Sequence, residues 1–338
     1  DTISSLAGAG TIDIASSQIL TAGNSSDQEI SGTITGSGAF NKTGTGKITL
    51  SGTGTDVGSI IISNGTLEVS GQLNSGSYSG NITNRSALIF SSSSDQTISG
   101  IITREGTLTK NGSGTLTLSG ANNYGGATTI NSGTLTVTGV LSDNTAVSVA
   151  SGAVYDVDAT DTVASIEGAG NIEIASSQTL TAGDANDKTL SGVISGSGGF
   201  TKAGSGTLTL SSTNTFSGIT TINAGTLTVT GALSDSSAVS VASGAIYDVD
   251  ASDTVASIEG AGNIEIASSQ ILTAGDSNNK TLSGVISGSG GFTKTGSGTQ
   301  TLSGNNSFSG ATNINSGTLT VTGTLSDSTA VTVASGAV

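Results

Sequence analysis

Apolar residues fall at every second place in short runs along this chain, with polar residues between them. In Thr115-Leu116-Thr117-Leu118 the two Leu share one side and the two Thr the other. Thr226-Leu227-Thr228-Val229 and Asn263-Ile264-Glu265-Ile266 repeat the pattern. Side chains of a strand alternate between its faces, so each run predicts a strand with one aliphatic and one polar face. Gly, Asn, Ser and Asp separate the runs, and these residues tolerate the left-handed backbone of tight turns. No stretch of useful length carries apolar residues at helical spacing, so helix is expected to be near absent.

The same runs recur. GSGTLTLSG at 112–120 returns as GTGKITLSG at 44–52, GSGTLTLSS at 204–212 and GSGTQTLSG at 296–304. Residues 155–246 and 247–338 are tandem units of 92 residues that differ at 16 positions, and a shorter related unit fills 44–111. In the shorter unit SALIFSSSSDQTISG (86–100) runs where later units insert a block such as DTVASIEGAGNIEIASSQILTAG (253–275). A relative of that block opens the chain at 1–23.

Strands are predicted to start at Gly206, Gly225, Gly244, Gly262, Lys280 and Gly298, which gives five coils of 18 or 19 residues per unit. Four coils of about 23 divide the unit as well. The turns are too long for hairpins, so the strands are expected to stack in parallel. The fold class is therefore all-β, a parallel β-helix (β-solenoid) with coils of roughly 18–23 residues, continuous over 1–338. The chain begins and ends inside repeats with no polar cap, so the native polypeptide is expected to continue beyond one or both ends. Gln300 takes the inward place held by Leu116 and Leu208, which predicts a polar defect or a hydrogen bond to a turn carbonyl.

Composition narrows the chemistry. Four Tyr and six Phe in 338 residues are too few for several conventional cores, whereas a thin core of stacked aliphatics needs no more. The net charge is −15 with only two Arg, which excludes a phosphate-neutralising stripe and hence nucleic-acid binding. No run approaches the ~20 apolar residues of a membrane helix, so no direct membrane insertion is expected. With no His and no Cys, neither a Ser-His-Asp nor a Cys-His nucleophile can be assembled.

The stretch from Phe200-Thr-Lys202 through GTLTLS, Asn214-Thr-Phe216-Ser-Gly218 and Thr220-Thr-Ile222 to Gly225-Thr-Leu-Thr-Val229 resembles the passenger-associated repeat of bacterial autotransporters. Equivalents run over 108–137, with Tyr124, and 292–321, with Phe308; a divergent copy runs from Phe40 to about Val69. The resemblance implies a right-handed β-helix, secreted across a Gram-negative outer membrane and displayed at the cell surface. It implies no particular activity.

Two acidic clusters are the candidates for chemistry: Tyr155-Asp156-Val157-Asp158…Asp161 and its copy Tyr247-Asp248-Val249-Asp250…Asp253. Paired carboxylates serve polysaccharide-cleaving enzymes. A cluster duplicated every 92 residues reads instead as a solvated turn, so no enzyme is expected. Asp156, Asp158, Asp161, Asp248, Asp250 and Asp253 are also candidate Ca²⁺ ligands, since Ca²⁺ takes six to eight oxygens. The Gly-Gly-x-Gly-x-Asp calcium motif is absent, and the expected cofactor is none. Thr-x-Thr at 207–209 and 226–228 raises an ice-binding face, which the next strands, with Tyr247, Asp248 and Glu265, interrupt. The expected function is an extracellular structural or adhesive fibre that projects, self-associates, or contacts a host or neighbouring cell. A carbohydrate- or ice-binding surface is the alternative. Tyr155, Tyr247, Thr207 and Thr226 are expected to point outward.

Overall fold

The structure, a computed structural model, describes all 338 residues. Its strands pair in parallel, no α-helix occurs, and the one helical turn is a 3-10 turn at Asn74–Gly76. Contacts group the chain into two units, Asp1–Asn171 and Ile172–Val338. Each is a β-solenoid whose strands fall on three faces, with some coils carrying strands on only two of them.

In the first unit Asn81–Asn84, Ala87–Phe90 and Gln96–Ile98 make one coil. Ile102–Thr103, Thr107–Lys110 and Thr115–Leu118 make the next. Ile82 pairs Ile102, Leu88 pairs Leu108 and Gln96 pairs Leu116. The period-two pattern of the sequence becomes inside and outside: Leu67, Leu88 and Leu108 stack as a buried ladder, while Thr109 and Thr129 stack outside. Removing one such Leu from water contributes about 1.5–3 kcal/mol. Rungs of this kind replace the bulky core that the composition lacks.

The turn glycines are fixed by crowding between coils. Gly225 has φ +65°, and a Cβ there would sit 2.4 Å from the Gly206 carbonyl oxygen in the coil before. Only glycine combines that left-handed backbone with so close an approach.

The second unit departs from the expected stacking. Thr207–Leu210, Thr226–Val229, Ile246–Val249 and Asn263–Ile266 do lie one above another on a single sheet. The next strand on that sheet is Ile286–Gly288, whereas Lys280–Leu282 joins another sheet beside Thr299–Leu302. Tyr247 pairs Ile264, 17 residues on, and Ile264 pairs Ile286, 22 residues on. Coils differ in length because corner turns differ, and stacking follows the inward side chains rather than equal spacing. From Thr207 four turns lead to Ile286, and two more faces lead to its counterpart Thr299. The 92-residue repeat thus spans four and two-thirds turns, neither five nor four.

Gln300 is buried as expected, in register with Lys280 and Leu319. Its Nε2 donates to the Thr301 carbonyl at 3.4 Å, within its own strand rather than to a turn.

Candidate functional surface

The polar side chains that mark the repeats turn inward. Lys202 lies two places beyond Phe200 and so shares its inward parity; it is 1% exposed. Its ammonium donates to the carbonyls of Ala203, Gly204 (2.9 Å) and Ala224 (3.2 Å), which gathers two successive turns. Lys42 does the same with Thr43, Gly44 and Asn64, and Lys294 with Thr295, Gly296 and Ser316. Lys110 holds Gly112 and Ser132. Burial pushes the pKa of all four ammonium groups down, and nearby carboxylates such as Asp184 beside Lys202 partly offset this.

At another corner stands a buried asparagine. Asn214 Oδ1 accepts the Ile194 N–H of the coil before at 2.9 Å. Its Nδ2 donates to Ser212 O and to Ala232 O of the coil after, both at 3.0 Å. Asn122 and Asn306 make the same three bonds in their own coils. One side chain thereby joins three coils.

Asp253 occupies the corresponding corner above. It accepts the Leu233 N–H at 3.1 Å and the Tyr247 hydroxyl at 2.5 Å. Asp161 accepts the N–H groups of Leu141 and Thr162 and the Tyr155 hydroxyl in the same way. Tyr155 and Tyr247 are fully buried, and Asp161 and Asp253 nearly so. The expectation of outward tyrosines in a solvated turn is corrected here. Tyr155 shares parity with Val157 and follows it into the core.

Burial raises the Asp253 carboxyl to about 6, against the opposing pull of Tyr247 and the backbone N–H groups. Unfolded, it would titrate near ~3.9. The native state therefore keeps a proton that the unfolded chain releases, so the linked stability is fully present below pH ~4 and is lost as pH rises through about 6. Melting wild type beside Asp253→Asn from pH 4 to 7 should show wild type losing about 2–3 kcal/mol relative to the variant. A constant difference between the two would refute the raised carboxyl.

The other four aspartates stay at the surface. Asp156 and Asp248 are half-buried and accept the hydroxyls of Thr136 and Thr228, each at 3.0 Å. Burial raises the Asp248 carboxyl, with Asp250 and Glu265 adding repulsion. Asp158 and Asp250 are exposed. No three acidic side chains converge as a metal site would require. Thr207 and Thr226 are half-exposed on outward positions. All ten aromatic side chains are buried, so none is available outside to stack on a ligand.

The model of the passenger-associated-transport-repeat family matches residues 40–69, 108–137, 200–229 and 292–321. This chain carries four passenger-associated-transport repeats. Each begins beside one of the buried lysines, and three of the four contain the buried asparagine. The adhesin BmaC autotransporter of Brucella suis biovar 1 (strain 1330) is 31% identical over 250 residues, which cover 61% of this chain. Those residues amount to 7% of the relative, so the chain spans a small part of its length. No solved structure matches the chain. Composition and charge do not single out the lysines or asparagines; the signal for them is parity with an inward apolar residue two places away, Leu108 for Lys110 and an aromatic for the others.

Proposed function

We propose that this segment is the shaft of an adhesive fibre, and that its work is length and surface rather than chemistry. The segment lies outside the cell, at the surface of a Gram-negative bacterium, in an adhesive or structural role. The observation that carries the shaft reading is the inward aim of the recurring lysine, asparagine and corner aspartate. Lys202, Asn214 and Asp253 are consumed by bonds between coils, which leaves an outer surface rich in Thr, Ser, Asn and Gly with carboxylates spread among them. Such a surface supports many weak contacts along a length. A carbohydrate platform is disfavoured because the aromatics that would stack on sugar rings are all inside. We read the aspartates as structural, with no cation needed, and the segment as non-enzymatic.

The test is display of residues 1–338 on a non-adherent bacterium through an unrelated anchor, scored for clumping and for attachment to cells and abiotic surfaces. The shaft reading expects attachment or clumping above the anchor alone, with melting unchanged by calcium or a chelator. Turnover of a polysaccharide by the purified segment would overturn it.

A further inference from the structure

The two-thirds turn in the repeat decides where its surface points. In the second unit Gly199–Lys202 and Thr220–Ile222 lie on one sheet, while Gly291–Lys294 and Thr312–Ile314, 92 residues on, lie on another. Counterparts in successive repeats therefore occupy neighbouring faces.

One of these faces carries Thr254, Thr273, Thr293, Asn313 and Thr332 in direct register on outward positions, with Thr293 itself covered at 8% exposed. Beside that ladder Ile271, Gly291 and Ala311 line a groove of about 230 Å³, and Ile271 is 43% exposed. Neither column holds a charged side chain. The counterpart ladder of Thr181, Thr201, Thr221 and Ser240 runs up the adjacent face and ends at Glu259, which pairs with Lys280. On the third face Asp248 stands directly against Glu265.

We propose that the uncharged threonine ladder is the surface on which a second copy of this chain docks side by side, and that each repeat hands this surface to the next face round. This rests on the fibre reading above. Copies of a chain with net charge −15 repel one another, most strongly where acidic faces would meet. The ladder is where that repulsion is least. Two copies share the same ~4.8 Å rung spacing, so threonines of one fit between those of the other over several rungs. The groove beside Ile271 adds apolar contact at the same place. Ice is a poorer occupant, because the neighbouring column is Ile271-Gly291-Ala311 rather than a second row of threonines. With ladders on two faces at successive levels, association does not close at a dimer.

Sedimentation velocity of the purified chain over a concentration series, at ~0.15 M and ~0.5 M salt, tests this. Association should pass beyond the dimer and strengthen with salt, because screening weakens the repulsion. Thr273→Glu with Asn313→Glu should halt growth at dimers. Adding Thr201→Glu and Thr221→Glu should weaken self-association at least about tenfold, because like charges then face each other across the contact. Thr209→Glu, on the acidic face, should behave as wild type, and all variants should melt with the wild-type midpoint. A wild-type chain that stays monomeric throughout, or ladder variants that associate like wild type, would sink the proposal. If the displayed segment still attaches cells in that event, the shaft reading survives and only the ladder falls.

Discussion

Lys202→Met should destabilise the coils around it by about 3 kcal/mol or more, the largest single effect expected in this protein. Methionine keeps the apolar stem and much of the volume, so the loss isolates the ammonium. Three carbonyls, those of Ala203, Gly204 and Ala224, lose their donor at a half-buried corner. Hydrogen bonds to a charged group contribute about 1.5–3 kcal/mol each, and a buried acceptor left unpaired pays its own desolvation. The lowered pKa of the ammonium points the same way, since it measures how far the site is desolvated. Chemical denaturation and limited proteolysis, with cleavage mapped to the turns at 203–206 and 223–226, would read the effect. Lys47→Met is the control: its partly exposed ion pair with Glu68 is worth about 1 kcal/mol or less. Equal losses in the two variants would remove the special role given to the buried lysine.

Asn214→Ala is expected to follow closely, at about 2–3 kcal/mol, because one truncation removes bonds to three coils and orphans a buried N–H. The Ile194 N–H loses its acceptor, and the carbonyls of Ser212 and Ala232 each lose one of two donors, keeping a backbone N–H. Asn214→Asp separates the two halves of this role. A carboxylate still accepts from Ile194, but it meets two carbonyl oxygens where an amide had donated. It should cost as much as alanine at pH 7 and recover as the pH falls and a proton restores one donor. An aspartate variant as stable as wild type at pH 7 would contradict the geometry. The contrast with Asp253 explains the choice of residue at each corner. Around Asp253 the neighbours are donors, Leu233 N–H and Tyr247 O–H, so an acceptor-only side chain suffices.

Much of this was legible in the residues. Leu116, Leu227 and Ile264 alternate with polar neighbours, and that alternation fixed which side chains share a face. The same rule applied to Phe200 and Lys202, or to Tyr155 and Val157, already put the lysine and the tyrosine inside. Charge and hydroxyl groups are ordinarily found outside. What overrides that habit is the supply of turn carbonyls and N–H groups at each corner, which a solenoid brings within reach of an inward polar side chain. The six candidate aspartates show the limit: identical in type, they divide into buried acceptors at 161 and 253 and surface groups at the other four positions.

By itself the sequence determined the parallel all-β coil, the aliphatic ladder and the absence of His and Cys, which leaves no Ser-His-Asp or Cys-His set to assemble. These depend on local periodicity and on which side chains exist at all. Only the tertiary structure decided that Lys280–Leu282 leaves the stack of Asn263–Ile266, and that the repeat closes after four and two-thirds turns. Coil length is set where corner turns meet inward side chains of neighbouring coils, a contact between residues about 20 apart. Period two says nothing about which strand lies beneath which. The direction in which each copy of the repeat presents its threonines therefore became readable only once the coils were stacked.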